Sequence, residues 1–221
     1  MEKPLSEYPR PQLVRDSYLC LNGNWQYAIR KTGDIPSTFD GEILVPFSPE
    51  KEKSGVNKMV CPNDFLFYKT SLDIPKEYNG EKVLLHFGAV DQIADVYING
   101  IHIGNHIGGF LPFEFDIKPF LKENNILVVR VQDFTDSSYY SRGKQRLHRG
   151  GIWYTSQSGI YMPVWIESVS NDYIKNLVIT PDIDNSSINI TVLSDSDKAF
   201  IEIDDEEIEV KTNIPNSSNN N

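Results

Sequence analysis

The stretch from Asp95 to Ile117, DVYINGIHIGNHIGGFLPFEFDI, sets four glycines and one proline among apolar residues that alternate instead of recurring every three or four positions. Alternation sends side chains to the two opposite faces of an extended chain, so the segment reads as β-structure and not as an amphipathic helix. Asn99-Gly100, with Val96 and Ile98 before it and Ile101 and Ile103 after it, is a strong hairpin signal. A type I′ turn needs positive φ at both central residues, and Asn and Gly tolerate it best. Gly104 and Gly108-Gly109 permit bends or close backbone approach at strand ends, and Pro112 suits a turn before the next short strand. A nucleotide cradle does not fit: no strand–helix switch follows the glycines, and there is no Gly-Lys-Ser/Thr ending. A metal site fits less well. His102 and His106 in an extended strand lie about 13 Å apart, too far for one ion unless Gly104-Asn105 bends the chain, and a surface or groove pair is the preferred reading.

The same pattern extends along the chain. Residues 24–30, 67–74, 82–87, 94–99, 125–132 and 163–169 are short β-rich runs bounded by turn residues. In 82–87, Val83, Leu85 and Phe87 share one face. The run 125–132 is apolar on both faces, as a central strand of a two-layer sandwich should be. The Pro-, Lys- and Ser-rich residues 48–63 read as a surface connection. Trp25 and Trp165 fall within strand patterns and are expected to pack on a sheet face. Asp91 and Asp116 stand at strand–turn junctions and are expected to cap turns. The composition breaks at Ser170-Asn171-Asp172, which divides the chain into residues 1–170 and 171–221. The second part holds four strand-like pieces (174–180, 187–193, 200–203 and 207–210) and ends in a polar stretch, 216–221, expected to be disordered. It resembles the opening of an immunoglobulin-like sandwich, which needs about seven strands.

A formal net charge of −10 argues against a nucleic-acid binder, which must present a basic stripe to phosphate. No apolar run approaches the ~20 residues of a membrane span, and residues 1–10 carry no apolar signal core. The expectation is therefore a cytoplasmic protein with no membrane partner, in which Cys20 and Cys61 are free thiols. Hydrophobic residues at 39% suffice for a packed core.

The ordered motifs 87–91 (FGAVD), 94–100 (ADVYING), Gly104, 108–113 (GGFLPF) and Phe115-Asp116-Ile117 resemble the N-terminal sugar-binding domain of glycoside hydrolase family 2. So do the entry, 8–15 (YPRPQLVR) and 21–25 (LNGNW), and the exit, Ser158-Gly159-Ile160 with 163–167 (PVWIE). The family contains β-galactosidases, β-glucuronidases and β-mannosidases. The resemblance implies an all-β fold, a jelly-roll (galactose-binding-like) β-sandwich followed by part of an immunoglobulin-like sandwich, with no cofactor. It implies a carbohydrate partner, a β-glycoside, and a catalytic (β/α)₈ barrel elsewhere in the parent polypeptide; a homo-oligomer is left open. A retaining glycosidase needs two carboxylates about 5–5.5 Å apart, and in the family both come from the barrel, which takes about 250 residues. No catalytic residue is assigned here, and the chain alone is expected to be inactive. Some family members place a substrate-touching Asp seven residues before the Ile of the Ser-Gly-Ile motif; here that position is Trp153. Residues 138–157 are nevertheless dense in aromatic, Arg, Lys and Gln side chains, which suit sugar C–H faces and hydroxyls. Arg142, Lys144, Gln145, Trp153 and Tyr154 are the candidate substrate-binding or barrel-facing residues. The alternative is a stand-alone carbohydrate-binding module.

Overall fold

The computed structural model describes the backbone of residues 3–203 and 206–211, with side chains as far as residue 202. The expected disorder at 216–221 lies outside the described residues.

The chain opens with an extended arm leading to β1 (Tyr18–Cys20), then β2 (Gly23–Arg30), β3 (Gly41–Val45), β4 (Phe65–Leu72) and β5 (Lys82–Phe87). After these come β6 (Val90–Asp91), β7 (Ile93–Ile98), β8 (Ile101–Ile107), β9 (Phe113–Asp116) and β10 (Asn125–Gln132). Two short pieces, β11 (Gln145–Arg146) and β12 (Tyr154–Thr155), precede β13 (Gly159–Ile160) and β14 (Val164–Val169). Four more strands close the described chain: β15 (Ile174–Asp182), β16 (Ser187–Ser194), β17 (Lys198–Ile203) and β18 (Glu206–Lys211). Among the described residues only three-residue 3₁₀ turns interrupt this all-β pattern, and no helix is long and apolar enough to cross a membrane.

Two antiparallel sheets face one another, a six-stranded sheet ordered β3-β2-β4-β10-β7-β8 and a four-stranded sheet ordered β1-β14-β5-β9. The core between them is built from the alternate residues that period-two patterning selects. β10 contributes Leu127, Val129 and Val131; β7 contributes Ala94, Val96 and Ile98; and β5 contributes Val83, Leu85 and Phe87. Each fully buried Val, Leu, Ile or Phe side chain among these stabilises the fold by about 1.5–3 kcal/mol. The other face of β10 is covered too. Val128 packs with Ala28 and Phe67 in a smaller cluster under Phe39, Phe65 and Tyr97, and Arg130 pairs with Asp95 at 2.7 Å. A strand buried on both faces reads as a continuous apolar run for that reason.

The hairpin in the opening stretch is as the dipeptide predicts: Asn99 has φ +53° and Gly100 φ +81° between β7 and β8. Gly104 serves close packing, since a Cβ there would come 2.3 Å from the Phe115 ring. His102 pairs with Asp95 at 2.9 Å, and His106 stacks on Phe113 with centroids 4.3 Å apart. The two histidines thus engage different partners.

The outer face of the four-stranded sheet is covered by the N-terminal arm. Glu167 on β14 is fully buried and receives Arg10 at 2.6 Å, Arg15 at 2.7 Å and the Tyr8 hydroxyl. Trp165, two residues earlier, stacks on His86 with centroids 4.8 Å apart and lies under Arg10. Burial alone would raise the Glu167 pKa, but His86, Tyr8 and Arg10 together hold it well below the usual carboxylate range. Trp25 fills the inner core, so both tryptophans pack on sheet faces.

Residues 48–63 differ from the surface connection expected of their composition. Val56 and Val60 belong to the main core, and Ser48, Glu50 and Ser54 are buried. The loop folds back because Glu50 supplies internal acceptors: its carboxylate takes the Ser48 hydroxyl at 2.7 Å, the Val60 amide at 3.3 Å and the Ser158 amide at 3.1 Å. A buried acid can carry that much backbone, and the polar residues around it hide the fact in sequence. Cys20 is buried and Cys61 exposed, and both are free.

Candidate functional site: a cleft at one end of the sandwich

The connections around β6, β11, β12 and β13 meet at one end of the sandwich. The β6–β13 pair brings Asp91 opposite Gly159 and Val90 opposite Ile160. Gly159 is required there: its φ is +76°, and a Cβ would fall 2.0 Å from the Tyr68 hydroxyl, which accepts the Ile160 amide at 3.2 Å. β11 and β12 run parallel, pairing Gln145 with Tyr154 and Arg146 with Thr155. Beside them opens a cleft of about 500 Å³, lined among others by Lys51, Asp91, Lys144, Gln145, Tyr154 and Tyr161.

Asp91 is the chemically distinctive member. It is 3% exposed, and its Oδ1 has no hydrogen-bond partner among the described residues. Its Oδ2 accepts the Gln145 side-chain amide at 3.3 Å. Burial is the main cause that pushes its pKa up to about 7, and the neighbouring Asp133 and Glu50 carboxylates add to it. Asp133 and Glu50 are themselves shifted upward by burial. Both are tied to the chain entering β13, Asp133 through the Ser158 hydroxyl at 2.8 Å and Glu50 through the Ser158 amide. Gly109 makes room for Asp91, because a Cβ there would lie 2.3 Å from Oδ1. Tyr161 flanks the group and donates its hydroxyl to the Gly109 carbonyl. The turn-capping role expected of Asp91 is therefore wrong. Its carboxyl is buried against Gly109 and takes the Gln145 side-chain amide, whereas Asp116 does cap, taking the Lys118 amide at 3.0 Å.

Of the five residues singled out in sequence, the fold brings Lys144, Gln145 and Tyr154 to this cleft. Gln145 is pinned at both ends of its amide, donating to Asp91 and accepting the Gln157 amide at 2.6 Å. Tyr154 stands 70% exposed at the rim. Trp153 and Arg142 do not line it. The Trp153 ring lies under Arg146 at 4.1 Å, and its backbone pairs with Gly150 in a tight turn. Sequence reasoning missed Asp91 and Tyr161 as members, and Glu50 and Asp133 as buried acids beside Asp91. The available signal was an acid directly following the apolar Gly88-Ala89-Val90, with no turn residue after it. Among the described residues no group of His, Cys, Asp or Glu is arranged to hold a metal ion.

Residues 49–167 match the family model described as glycosyl hydrolases family 2, sugar binding domain. The chain belongs to glycosyl hydrolase family 2. Its cleft residues, from Lys51 to Tyr161, all fall within the matched span. A β-galactosidase of Thermoanaerobacter pseudethanolicus is 31% identical over 172 residues, covering 74% of this chain and 22% of the relative. A β-glucuronidase of Formosa agariphila is 36% identical over 106 residues, covering 47% of this chain and 11% of the relative. The chain thus spans less than a quarter of the length of either. The Ruminococcus gnavus β-glucuronidase bound to a C6-substituted uronic isofagomine superposes with a TM-score of 0.69 at 20% identity, covering 93% of this chain and 40% of that one. That likeness is one of fold. The all-β sandwich is that of the family's sugar-binding domain, as the ordered motifs implied.

Proposed function

We propose that the chain is the N-terminal, non-catalytic part of a β-glycosidase, in which the Asp91 cleft faces the sugar beside a barrel that carries the catalytic carboxylates. One observation carries this reading. A buried carboxyl with an unpartnered oxygen, a fixed Gln amide and an exposed tyrosine converge on one cleft, a set suited to sugar hydroxyls and a sugar C–H face. A carboxyl poised near neutrality can donate or accept a hydrogen bond to a hydroxyl. The neighbouring acids are not a retaining pair: Asp133 and Glu50 spend their oxygens on Ser158, Thr135, Ser48 and Val60. Residues 1–170 form the sugar-binding-type unit in this reading, and 171–221 open an immunoglobulin-like domain that spaces it from the barrel.

The test pairs two assays on the 221-residue chain. Incubated with nitrophenyl β-galactoside and β-glucuronide it should release no nitrophenolate above buffer, and turnover would overturn the non-catalytic assignment. In calorimetric titration with methyl β-glycosides, heat saturating only in the millimolar range fits a rim that needs its barrel. Micromolar binding would instead make the chain a carbohydrate-binding module in its own right.

A further inference from the structure

The loop rimming the cleft is charged against the rest of the chain. The whole sequence carries a formal charge of −10, yet residues 137–157 hold Arg142, Lys144, Arg146 and Arg149 and not one acid. Their placement separates their roles. Arg146 is engaged, stacked on Trp153 at 4.1 Å and 3.9 Å from Asp136. Lys144 lines the cleft and is exposed, as is Arg149, which reaches the Thr155 hydroxyl at 3.3 Å; Arg142 is half-buried on the same loop. Aromatic faces accompany these cations, Tyr154 at 70% and Tyr139 at 89% exposure. A run of surface cations is ordinarily a solvated face. Here, however, it sits inside an acidic chain, on a loop that also carries exposed rings and that lines the cleft with Lys144, Gln145 and Tyr154. Rings suit the C–H faces of sugars, and cations on the rim loop, with Lys144 in the cleft itself, suit an anionic substituent.

Resting on the sugar-facing reading of the cleft, we propose that this rim takes an anionic glycan, with carboxylate or sulfate groups of the outer sugars against Arg142, Lys144 and Arg149. Nucleic acid is a poorer occupant, because the rest of the surface would repel a long phosphate backbone.

Affinity electrophoresis of the 221-residue chain tests it, in native gels containing polygalacturonate, a sulfated galactan, neutral β-galactan or polyglutamate. Mobilities are referred to a gel without polymer, so that a change in the protein's own charge cancels. The wild type should be retarded by polygalacturonate or the sulfated galactan, and whichever acts identifies the anionic group. The triple variant Arg142→Gln, Lys144→Gln, Arg149→Gln, with an unchanged urea midpoint as the folding control, should lose most of that retardation, roughly five-fold or more, as should the wild type in high salt. Equal retardation of the variant overturns the proposal, and so does equal retardation by polyglutamate, which would mean ion exchange without sugar. Retardation by neutral galactan alone overturns the anionic assignment and leaves the sugar-facing cleft standing. No retardation in any gel overturns the proposal as well, and binding of small neutral glycosides then judges the cleft separately.

Discussion

At the scale of single residues, Asp91 concentrates the unusual chemistry of the chain. Its pKa in the fold stands near 7 against an ordinary 3.8, so the folded state keeps a proton that the unfolded chain releases. The stability this supports is present below pH ~4 and is lost as pH rises through about 7. The upward shifts of Glu50 and Asp133 act in the same direction. Urea midpoints should therefore fall between pH 5 and pH 8. Asp91→Asn, which cannot ionise, should flatten much of that slope and be the more stable protein at pH 8, by on the order of 2–4 kcal/mol. Parallel slopes for the two proteins would show that Asp91 is not held protonated. Gly159 gives a second test at this scale. Gly159→Ala places a methyl against the Tyr68 hydroxyl at a φ of +76°, so a loss of roughly 2–4 kcal/mol in chemical denaturation is expected. Little change would mean that the β6–β13 junction is looser than its geometry.

At the scale of elements, the strands were legible because period-two alternation and the Asn-Gly turn are local signals. Leu127, Val129 and Val131 can be assigned to one face from spacing alone, and β10 could be placed centrally from its two apolar faces. Boundaries shifted by a residue or two, as for β4, which runs Phe65–Leu72 and not 67–74. What stayed hidden depends on partners distant in sequence. Glu50 looks like a loop acid until Ser158 arrives 108 positions later, and Asp91 looks like a turn cap until β13 pairs with β6. Three of the five candidate rim residues lie at the cleft because Gln145 and Tyr154 are paired by a parallel bridge that no pattern announces. The arm on the outer sheet is another such long-range element. Glu167→Gln removes the charge that Arg10 and Arg15 share and should cost about 3 kcal/mol, since breaking a buried ion pair strands its partners. Trypsin should then cut after Arg15 in the variant much faster than in the wild type. An unchanged cleavage rate would place the arm's anchorage elsewhere.

At the scale of the whole molecule, two cavities of similar size are equipped differently. The one floored by Asp91 collects polar and aromatic side chains at the loop end, within the span matched by the family model. The other, of about 550 Å³, lies by Leu19, Leu21, Trp25 and Leu44; its tryptophan is buried and donates its indole N–H to the Leu21 carbonyl at 2.8 Å. Sugar is expected at the first. The most direct test is residue-resolved NMR of the 221-residue chain titrated with methyl β-galactoside and methyl β-glucuronide, following the Gln145 side-chain amide and the Asp91, Tyr154 and Tyr161 resonances. Progressive shifts confined to those four residues and their neighbours, for at least one of the two glycosides, are the expected result. Shifts centred on Trp25 and Leu44, or none at any concentration reached, would contradict the assignment of the Asp91 cleft as the sugar-facing site.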